Sequence, residues 1–415
     1  MPDETTSPTR VGIPQPRTGR YVRRYVLGSS VSAFGNQMAA VALPVALVWH
    51  GAGAASLGVV LGAAILPKTV FLLAGGVIGD RLDRRGVLIL GDLLMAATQV
   101  ATALLLWHSG TRHLHLLVIL QILYGCANAL AVPALIGVLP QLVPLEGLQR
   151  ANAVLRTAMN TAAVLGPPAA AGLAAVLRPE WALLANAVTF MVSAGAVSGL
   201  PKLSSPSGRA SFVRELVAGW AVFRRTTWVW LMVGSFAIYQ ATVLPVVFVI
   251  GPLVTQHDAG ASGWAAVLTA RGAGAVLGGV LLLRRRPRRP VALACALLLL
   301  DLPFLLGLSA GLGVVALVLA SVVATAGLVA ADTLWESALQ ENVDPAFISR
   351  ISSYDWMGSV FFAPLGYLAV GAVAAVAGTS ATVVTITVLH GVIHLLLPLA
   401  PQIRAVQRTP GPASS

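Results

Sequence analysis

Residues 75–86 read Gly-Gly-Val-Ile-Gly-Asp-Arg-Leu-Asp-Arg-Arg-Gly and place five charged side chains between two long apolar segments. The segments 55–79 and 87–107 can each cross a hydrocarbon core of roughly 30 Å, which takes about 20 helical residues. Charged side chains and unpaired backbone groups are costly in lipid. The stretch is therefore predicted to be a tight loop at a membrane surface that joins two antiparallel spanning helices.

Composition predicts a membrane protein. Of its 415 residues 57% are hydrophobic and 10% are charged, and the mean hydropathy is +0.83. The net charge of +12 would fit a nucleic-acid partner, but the basic residues fall in short clusters between apolar runs. That distribution predicts membrane orientation instead, with both termini cytoplasmic, in a multi-pass protein of the plasma (inner) membrane.

Apolar runs recur along the chain with short connections between them. They are predicted to form 12 spans, over 25–49, 55–79, 87–107, 114–140, 152–177, 181–200, 227–252, 262–283, 291–309, 312–338, 351–377 and 380–400. The predicted organisation is a disordered cytoplasmic tail (1–20), an N-terminal six-helix bundle (21–200), a cytoplasmic linker with an amphipathic helix (201–226), a C-terminal six-helix bundle (227–400) and a cytoplasmic tail (401–415).

The two halves repeat each other. When Gly76 is aligned with Gly279, Lys68 aligns with Arg271. The arginines at 81 and 85 align with those at 284 and 288. Two related six-helix halves are typical of secondary transporters, in which substrate binds near the midplane between the halves. The fold class is therefore predicted to be an all-α integral membrane protein with 12 transmembrane helices in two pseudo-symmetric bundles.

The charged loop resembles the signature between the second and third helices of the major facilitator superfamily. The matching residues are Gly76, Asp80, Arg81, Arg84 and Arg85. The resemblance implies a gating role for them, in which Asp80 holds the start of helix 11 when the cytoplasmic side is closed. A carboxylate gains from the partial positive charge of a helix N-terminus, which makes that role physically reasonable. The alternative is an ordinary positively charged cytoplasmic loop.

A second stretch, 143–172, resembles bacterial drug and siderophore exporters of the same superfamily. Leu-x-x-Ala-Asn is followed by Gly166-Pro167 and then Gly172, which is similar to the antiporter signature of helix 5. The resemblance implies export and a gating role for Gly166 and Pro167. Three alanines, 169–171, stand where that signature has its glycine pair.

Two cations are predicted deep in the membrane. Lys68 lies 12 residues before Asp80, which places it roughly 18 Å along the helix at 1.5 Å per residue. A cation at that depth costs about 2.5–3.5 kcal/mol on insertion scales, so it is expected to face a water-filled cavity or an acid. Lys68 and its repeat partner Arg271 are expected to flank the central cavity. They either bind an anionic substrate group or form structural ion pairs.

Other polar residues in the spans extend this candidate site. Substrate binding or coupling is predicted for three amides on helices 1 and 4 and for two acids on helix 10, namely Asn36, Gln37, Asn128, Asp332 and Glu336. The two acids are four residues apart and share a helix face, which fits a gate or a proton site. Asp355 on helix 11 is a candidate gating acid with Arg271 or Lys68 as its partner.

The histidines and cysteines of the chain are not predicted to form a metal site or a catalytic site. His390 and His394 have a metal-compatible spacing but no third ligand nearby, and five other histidines, His50 among them, are expected to be solvated at the outer surface. The two cysteines are predicted to pack, and no Gly-Lys-Ser or Gly-Lys-Thr loop provides for ATP. We therefore expect no enzyme activity, cofactor or metal.

The function favoured by the sequence is proton-coupled efflux of a small amphipathic compound, a drug or secondary metabolite, by alternating access. The expected partners are a small-molecule substrate, protons and the lipid bilayer, with no nucleic acid, and the protein is expected to be monomeric. One alternative is uptake or facilitated diffusion of a small solute. Another is a membrane sensor or assembly partner that moves nothing.

Overall fold

Helices account for almost all of the described chain. The computed structural model describes residues 15–74, 83–201, 203, 220, 223–282, 287–344, 351, 354–355 and 357–407. Ten of its helices are long and apolar enough to cross a membrane, and a shorter apolar helix covers Ala54–Val70. A further long helix, Leu145–Val176, is more polar. The predicted all-α membrane fold is confirmed.

Within the described chain, six long helices precede the linker and six follow it. The first six are α1 (Gln15–Trp49), α2 (Ala54–Ala74), α3 (Arg84–Ser109), α4 (Leu114–Ile136), α5 (Leu145–Val176) and α6 (Glu180–Ser198). The others are α7 (Thr227–Gln256), α8 (Ser262–Leu282), α9 (Pro290–Ser309), α10 (Val314–Asn342), α11 (Met357–Ala377) and α12 (Thr379–Leu399). Short helices Leu139–Leu142 and Pro401–Ala405 flank them.

Two of the spans depart from regular α-helix near their middle or end. Helix α7 contains a π-helical turn over Val246–Ile250, directly after Pro245. Helix α9 changes to a 3₁₀ turn over Leu299–Asp301. Such changes of helix type are often found at functional positions, because they leave backbone groups free for other partners.

The described part of the charged loop holds the N-terminal half together. Asp83 caps α3 and accepts hydrogen bonds from the backbone amides of Arg85 and Leu203. Arg84 donates to the carbonyl of Gly137 after α4, at 2.8 Å, and Arg85 donates to the last carbonyl of α6. A cation is stabilised at the C-terminal end of a helix. Gly76, Asp80 and Arg81 lie outside the described residues.

Apolar packing differs at the two ends of the molecule. We call the end where α1 begins the terminal side and the opposite end the far side. On the far side one apolar core runs through both halves and includes Leu47, Leu57, Val246, Trp264 and Val370. On the terminal side each half has its own core, one around Phe190 and one around Trp335. The halves are therefore closed against each other on the far side.

The linker is described at only a few residues. Phe223 stacks on Tyr354 just before α11, with ring centroids 5.2 Å apart, and Trp220 packs at a tilt against the same ring, 5.7 Å from its centroid. The rest of the predicted amphipathic helix, including Phe212 and Leu216, lies outside the described residues.

A buried ion cluster ties the far-side connections of the N-terminal half. Glu180, at the start of α6, is fully buried, and its Oε1 lies 2.6 Å from Nε2 of His50 and 3.2 Å from Nη2 of Arg178. Arg178 also stacks over the ring of Trp107, 5.0 Å from its centroid. The expectation that His50 is a solvated surface histidine was therefore wrong, because the partner acid lies 130 residues away and leaves no local signal.

We expect the double variant His50→Ala, Arg178→Ala to be strongly destabilised. It leaves the Glu180 carboxylate buried without a cation, and breaking a buried ion pair from one side costs about 3–5 kcal/mol. Thermal unfolding in detergent measures the effect as a lower midpoint. Adding Glu180→Gln to the double variant removes the unpaired charge and should recover most of the loss. A double variant as stable as the wild type would contradict this assignment.

Candidate functional site

A cavity of about 370 Å³ lies between the two halves. The N-terminal half supplies most of its wall, from α1, α2, α3 and α4. The C-terminal half contributes Phe248, on the π-helical turn of α7, and Tyr367, on α11. The chamber is thus bounded by both halves, as an alternating-access site requires.

The amide and ammonium side chains of this cavity come from four different helices. Asn36, Gln37, Lys68 and Asn128 all line it, so the structure brings together four residues of the predicted site. Gln99, Gln121 and Tyr124 line it as well. The sequence already predicts that Gln121, inside the apolar run of helix 4, needs a partner or water in a cavity. Gln99 and Tyr124 were missed, although a glutamine inside an apolar run is itself a signal because its amide needs a partner.

Hydrogen bonds fix several of these side chains. The Tyr124 hydroxyl donates to Oδ1 of Asn36 at 2.9 Å, and Gln99 lies against the same hydroxyl. Gln121 donates to Oγ1 of Thr102 at 3.2 Å. The Oε1 atom of Gln99 is buried and has no hydrogen-bond partner among the described residues. The hydrogen bonds therefore hold the side chains of the wall in place, and the Oε1 atom of Gln99 is left to accept a hydrogen bond from a ligand.

Lys68 is the charged residue among those that line the cavity. Among the described residues its ammonium forms no ion pair. The ion pairs found there are those of Glu180 with His50 and Arg178. The side chain is half-buried, in the second half of α2. A cation surrounded by neutral amides and phenols can interact with an anionic or electron-rich group of a ligand.

A smaller cavity of about 100 Å³ continues from the first. Asn36 and Asn128 line both. The smaller one also contains Ser29, Ser32 and the buried Asp92, whose carboxyl group interacts with the hydroxyl of Ser193. Polar groups therefore extend through the N-terminal half from Lys68 to Asp92.

Arg271 is placed differently from its repeat partner. It is 9% exposed and is not among the residues lining either cavity. Its guanidinium carbon lies 5.6 Å from the centroid of the Phe304 ring, inside the C-terminal half. The repeat relation placed it at an equivalent depth, but the rotation of α8 and the choice of partner could not be obtained from the alignment.

The three predicted acids of helices 10 and 11 lie together. Asp332 and Glu336 are exposed on α10, and both interact electrostatically with Asp355. Asp355 accepts a hydrogen bond from Nε1 of Trp335 at 3.0 Å. Neither Arg271 nor Lys68 forms an ion pair with Asp355 in the described structure.

Gly166 and Pro167 are buried where α5 crosses α1. A Cβ atom at Gly166 would lie 2.5 Å from Cβ of Gln37 and 3.2 Å from the carbonyl of Phe34. The glycine therefore allows α5 to approach the backbone of α1 directly beside a residue that lines the cavity. Pro167 and Pro168 lie inside the same helix.

The described part of the chain contains no group of three or more His, Cys, Asp or Glu side chains that could hold a metal ion. Cys126 and Cys295 are both free thiols.

Solved structures share this architecture at low sequence identity. A nucleoside transporter NupG superposes with a TM-score of 0.70 at 12% identity, over 91% of this chain and 98% of that one. A peptide transporter POT in complex with sulfate gives 0.71 at 14% identity, over 94% and 96%. Identities this low support the fold alone.

Curated relatives match over part of the chain. An uncharacterized MFS-type transporter y4rN of Sinorhizobium fredii is 34% identical over 179 residues, which are 41% of this chain and 44% of that protein. Macrolide efflux protein A of Enterococcus faecalis is 28% identical over 191 residues, 44% and 57% respectively. The chain thus spans about half the length of the curated relatives it matches.

The sequence profile of one family covers most of the described fold. The profile of the Major Facilitator Superfamily matches residues 25–367, from α1 into α11. Its range includes the charged loop and both cavities. Together with the helical architecture, this match assigns the chain to the Major Facilitator Superfamily of membrane transporters.

Proposed function

We propose that this protein exports a small amphipathic compound in exchange for protons, by alternating access across the plasma membrane. The single observation that carries the proposal is the polar cavity at membrane depth, bounded by both halves and containing Lys68. The partial similarity to the macrolide efflux proteins supports export as the direction. If the termini are cytoplasmic, as the basic clusters predict, the closed far side is the outer side.

The cavity chemistry also favours a class of substrate. Its charged group is a cation, and its other polar groups are amides and phenols. Such a wall favours a ligand with a carboxylate or with several hydrogen-bond acceptors over a cationic ligand. The apolar side chains of Leu43, Leu61, Ile65 and Phe248 provide surface for the rest of an amphipathic molecule.

Efflux assays in inside-out membrane vesicles test this function. The probes are anionic fluorescein, neutral chloramphenicol and cationic erythromycin, each measured with and without an imposed acid-interior pH gradient. We expect uptake into the vesicles driven by the gradient, largest for the anionic or neutral probe. Vesicles from cells without the protein are the control.

The alternatives predict different results in the same assay. An uptake carrier accumulates a probe in right-side-out vesicles, whereas a facilitator only equilibrates it, with a flux that follows the solute gradient. A sensor or assembly partner gives no flux of any probe in either orientation. Either result would overturn proton-coupled export.

A further inference from the structure

The C-terminal half contains a buried charged group outside both cavities. Asp301 of α9 is fully buried, Tyr239 of α7 is 3% exposed and Arg271 of α8 is 9% exposed. Their carboxyl, phenol and guanidinium groups interact electrostatically with one another. We call these three residues the C-terminal polar cluster. Each lies near the middle of its span.

The polar atoms of this cluster are incompletely bonded. Both carboxylate oxygens of Asp301, Nη1 of Arg271 and the hydroxyl of Tyr239 are buried without a hydrogen-bond partner among the described residues. A carboxylate that stays ionised in such a place is costly, because desolvation is only partly offset by a nearby cation. Protonation of the carboxyl group removes the charge and with it the cost of burying that charge. The cost is then present only while the group is ionised and interacts with Arg271.

The backbone around Asp301 departs from a regular α-helix. Asp301 ends the 3₁₀ turn of α9, and Pro303 lacks the amide that would continue regular hydrogen bonding two residues later. Nε2 of His390 lies 2.8 Å from the carbonyl of Leu298, so α12 satisfies a backbone group next to the turn. Short 3₁₀ segments within helices often mark hinges.

Two histidines of α12 are the other titratable groups near the cluster. The ring of His390 lies 5.8 Å from that of Tyr239, and its Nε2 is the atom that contacts the carbonyl of Leu298. His394 of α12 lies 2.8 Å from the hydroxyl of Ser235 through Nε2, and its Nδ1 lies 2.8 Å from the carbonyl of His390. Helix α10 also packs against α8 and α9, and it carries Asp332 and Glu336 nearer to its terminal-side end. Asp301 is thus the acid that interacts electrostatically with Arg271, although the two form no ion pair within 4.0 Å in the described structure.

Arg271 connects the cluster to the boundary between the halves. The next residue, Gly272, packs on the backbone of α5, where an added Cβ would lie 3.1 Å from the carbonyl oxygen of Ala163 and from Cα of Val164. A change in the position of Arg271 therefore acts on the segment of α8 that contacts the other half.

We propose that Asp301 is the proton-binding group of the transport cycle and that Arg271 is its alternate partner. This inference rests on the proposed proton coupling and assigns its site. The Asp301 carboxylate takes one proton from water on the far side, forming an O–H bond and releasing Arg271. It later returns that proton to water on the terminal side and pairs with Arg271 again. Coupling then occurs in the C-terminal half, apart from Lys68.

Transport by reconstituted full-length protein tests the assignment. Asp301→Asn is expected to lower pH-gradient-driven accumulation of the best-transported probe at least tenfold, while probe exchange without a gradient stays within about twofold of the wild type. Glu341→Gln, an exposed acid at the end of α10, is the matched control and should retain coupling. Wild-type exchange without any gradient-driven accumulation would overturn proton coupling itself. A coupled Asp301→Asn variant would overturn only the assignment.

Two further measurements distinguish coupling from a structural ion pair. The double variant Arg271→Gln, Asp301→Asn removes both charges and should fold, yet it should remain uncoupled, whereas a structural pair predicts restored coupling. Infrared difference spectra between about pH 5 and about pH 9 detect protonated carboxyl groups without a transport substrate. A band lost in Asp301→Asn and kept in Glu341→Gln supports the proposal, and an unchanged spectrum contradicts it.

Discussion

Replacement of Gly58 by leucine is expected to abolish transport while leaving a folded protein. On the far side, α2 and α11 are in backbone contact: a Cβ at Gly58 would overlap the carbonyl of Tyr367 and lie 3.0 Å from Cα of Gly371. A backbone cannot move aside as a flexible side chain can. The far side could then close only at a cost of about 3 kcal/mol or more, which changes the ratio of two conformations more than a hundredfold.

The matched control is Gly195→Leu in α6. That glycine is exposed on the outside of the bundle, and an added Cβ would meet nothing within 4 Å. Its transport rate should stay near that of the wild type. Normal transport by Gly58→Leu would show that the close contact between α2 and α11 is not needed in the cycle.

Accessibility measurements show which conformation the Gly58 variant adopts. A cysteine placed at Ala40, which lines the central cavity, is introduced after Cys126 and Cys295 have been replaced by alanine. In the wild-type background we expect little labelling by an impermeant maleimide added on the far side. In the Gly58→Leu background labelling should increase strongly, because the cavity stays open on that side.

Much of this fold could be predicted because its main determinants are local. The length of an apolar run and the cost of a charge in lipid are both readable from a short stretch. Lys68 therefore had to face water or protein, and the structure places it in the central cavity with Asn36 and Asn128. The charge and depth of a residue were sufficient for that inference.

The contacts that could not be predicted depend on helix rotation and long-range pairing. Tyr367 and Phe248 bound the cavity from the opposite half, and as aromatic residues in apolar spans they carry no signal of that role. Asp301 interacts electrostatically with Arg271, and that interaction depends on how α8 and α9 are rotated. The apolar runs indicate the depth of each residue in its span but carry no information on how the two are paired.

The charge of Lys68 is expected to set the selectivity of the transporter. In Lys68→Gln the cavity loses its cation, and a hydrogen bond to a charged group contributes about 1.5–3 kcal/mol, so the apparent affinity for anionic fluorescein should fall about 10- to 150-fold. Neutral chloramphenicol should be much less affected, because it offers no charge to lose. Efflux rates at several probe concentrations measure both changes.

Reversal of the charge at residue 68 should reverse the preference between anionic and cationic probes. Lys68→Glu places a carboxylate among the same amides and phenols and should favour cationic erythromycin over fluorescein. Arg404→Gln is the control, since that arginine is exposed after α12 and donates to the carbonyl of Pro398 at 3.0 Å. If the ratio of anionic to cationic transport is the same in all four proteins, Lys68 does not contact the substrate and serves the structure of the N-terminal half instead.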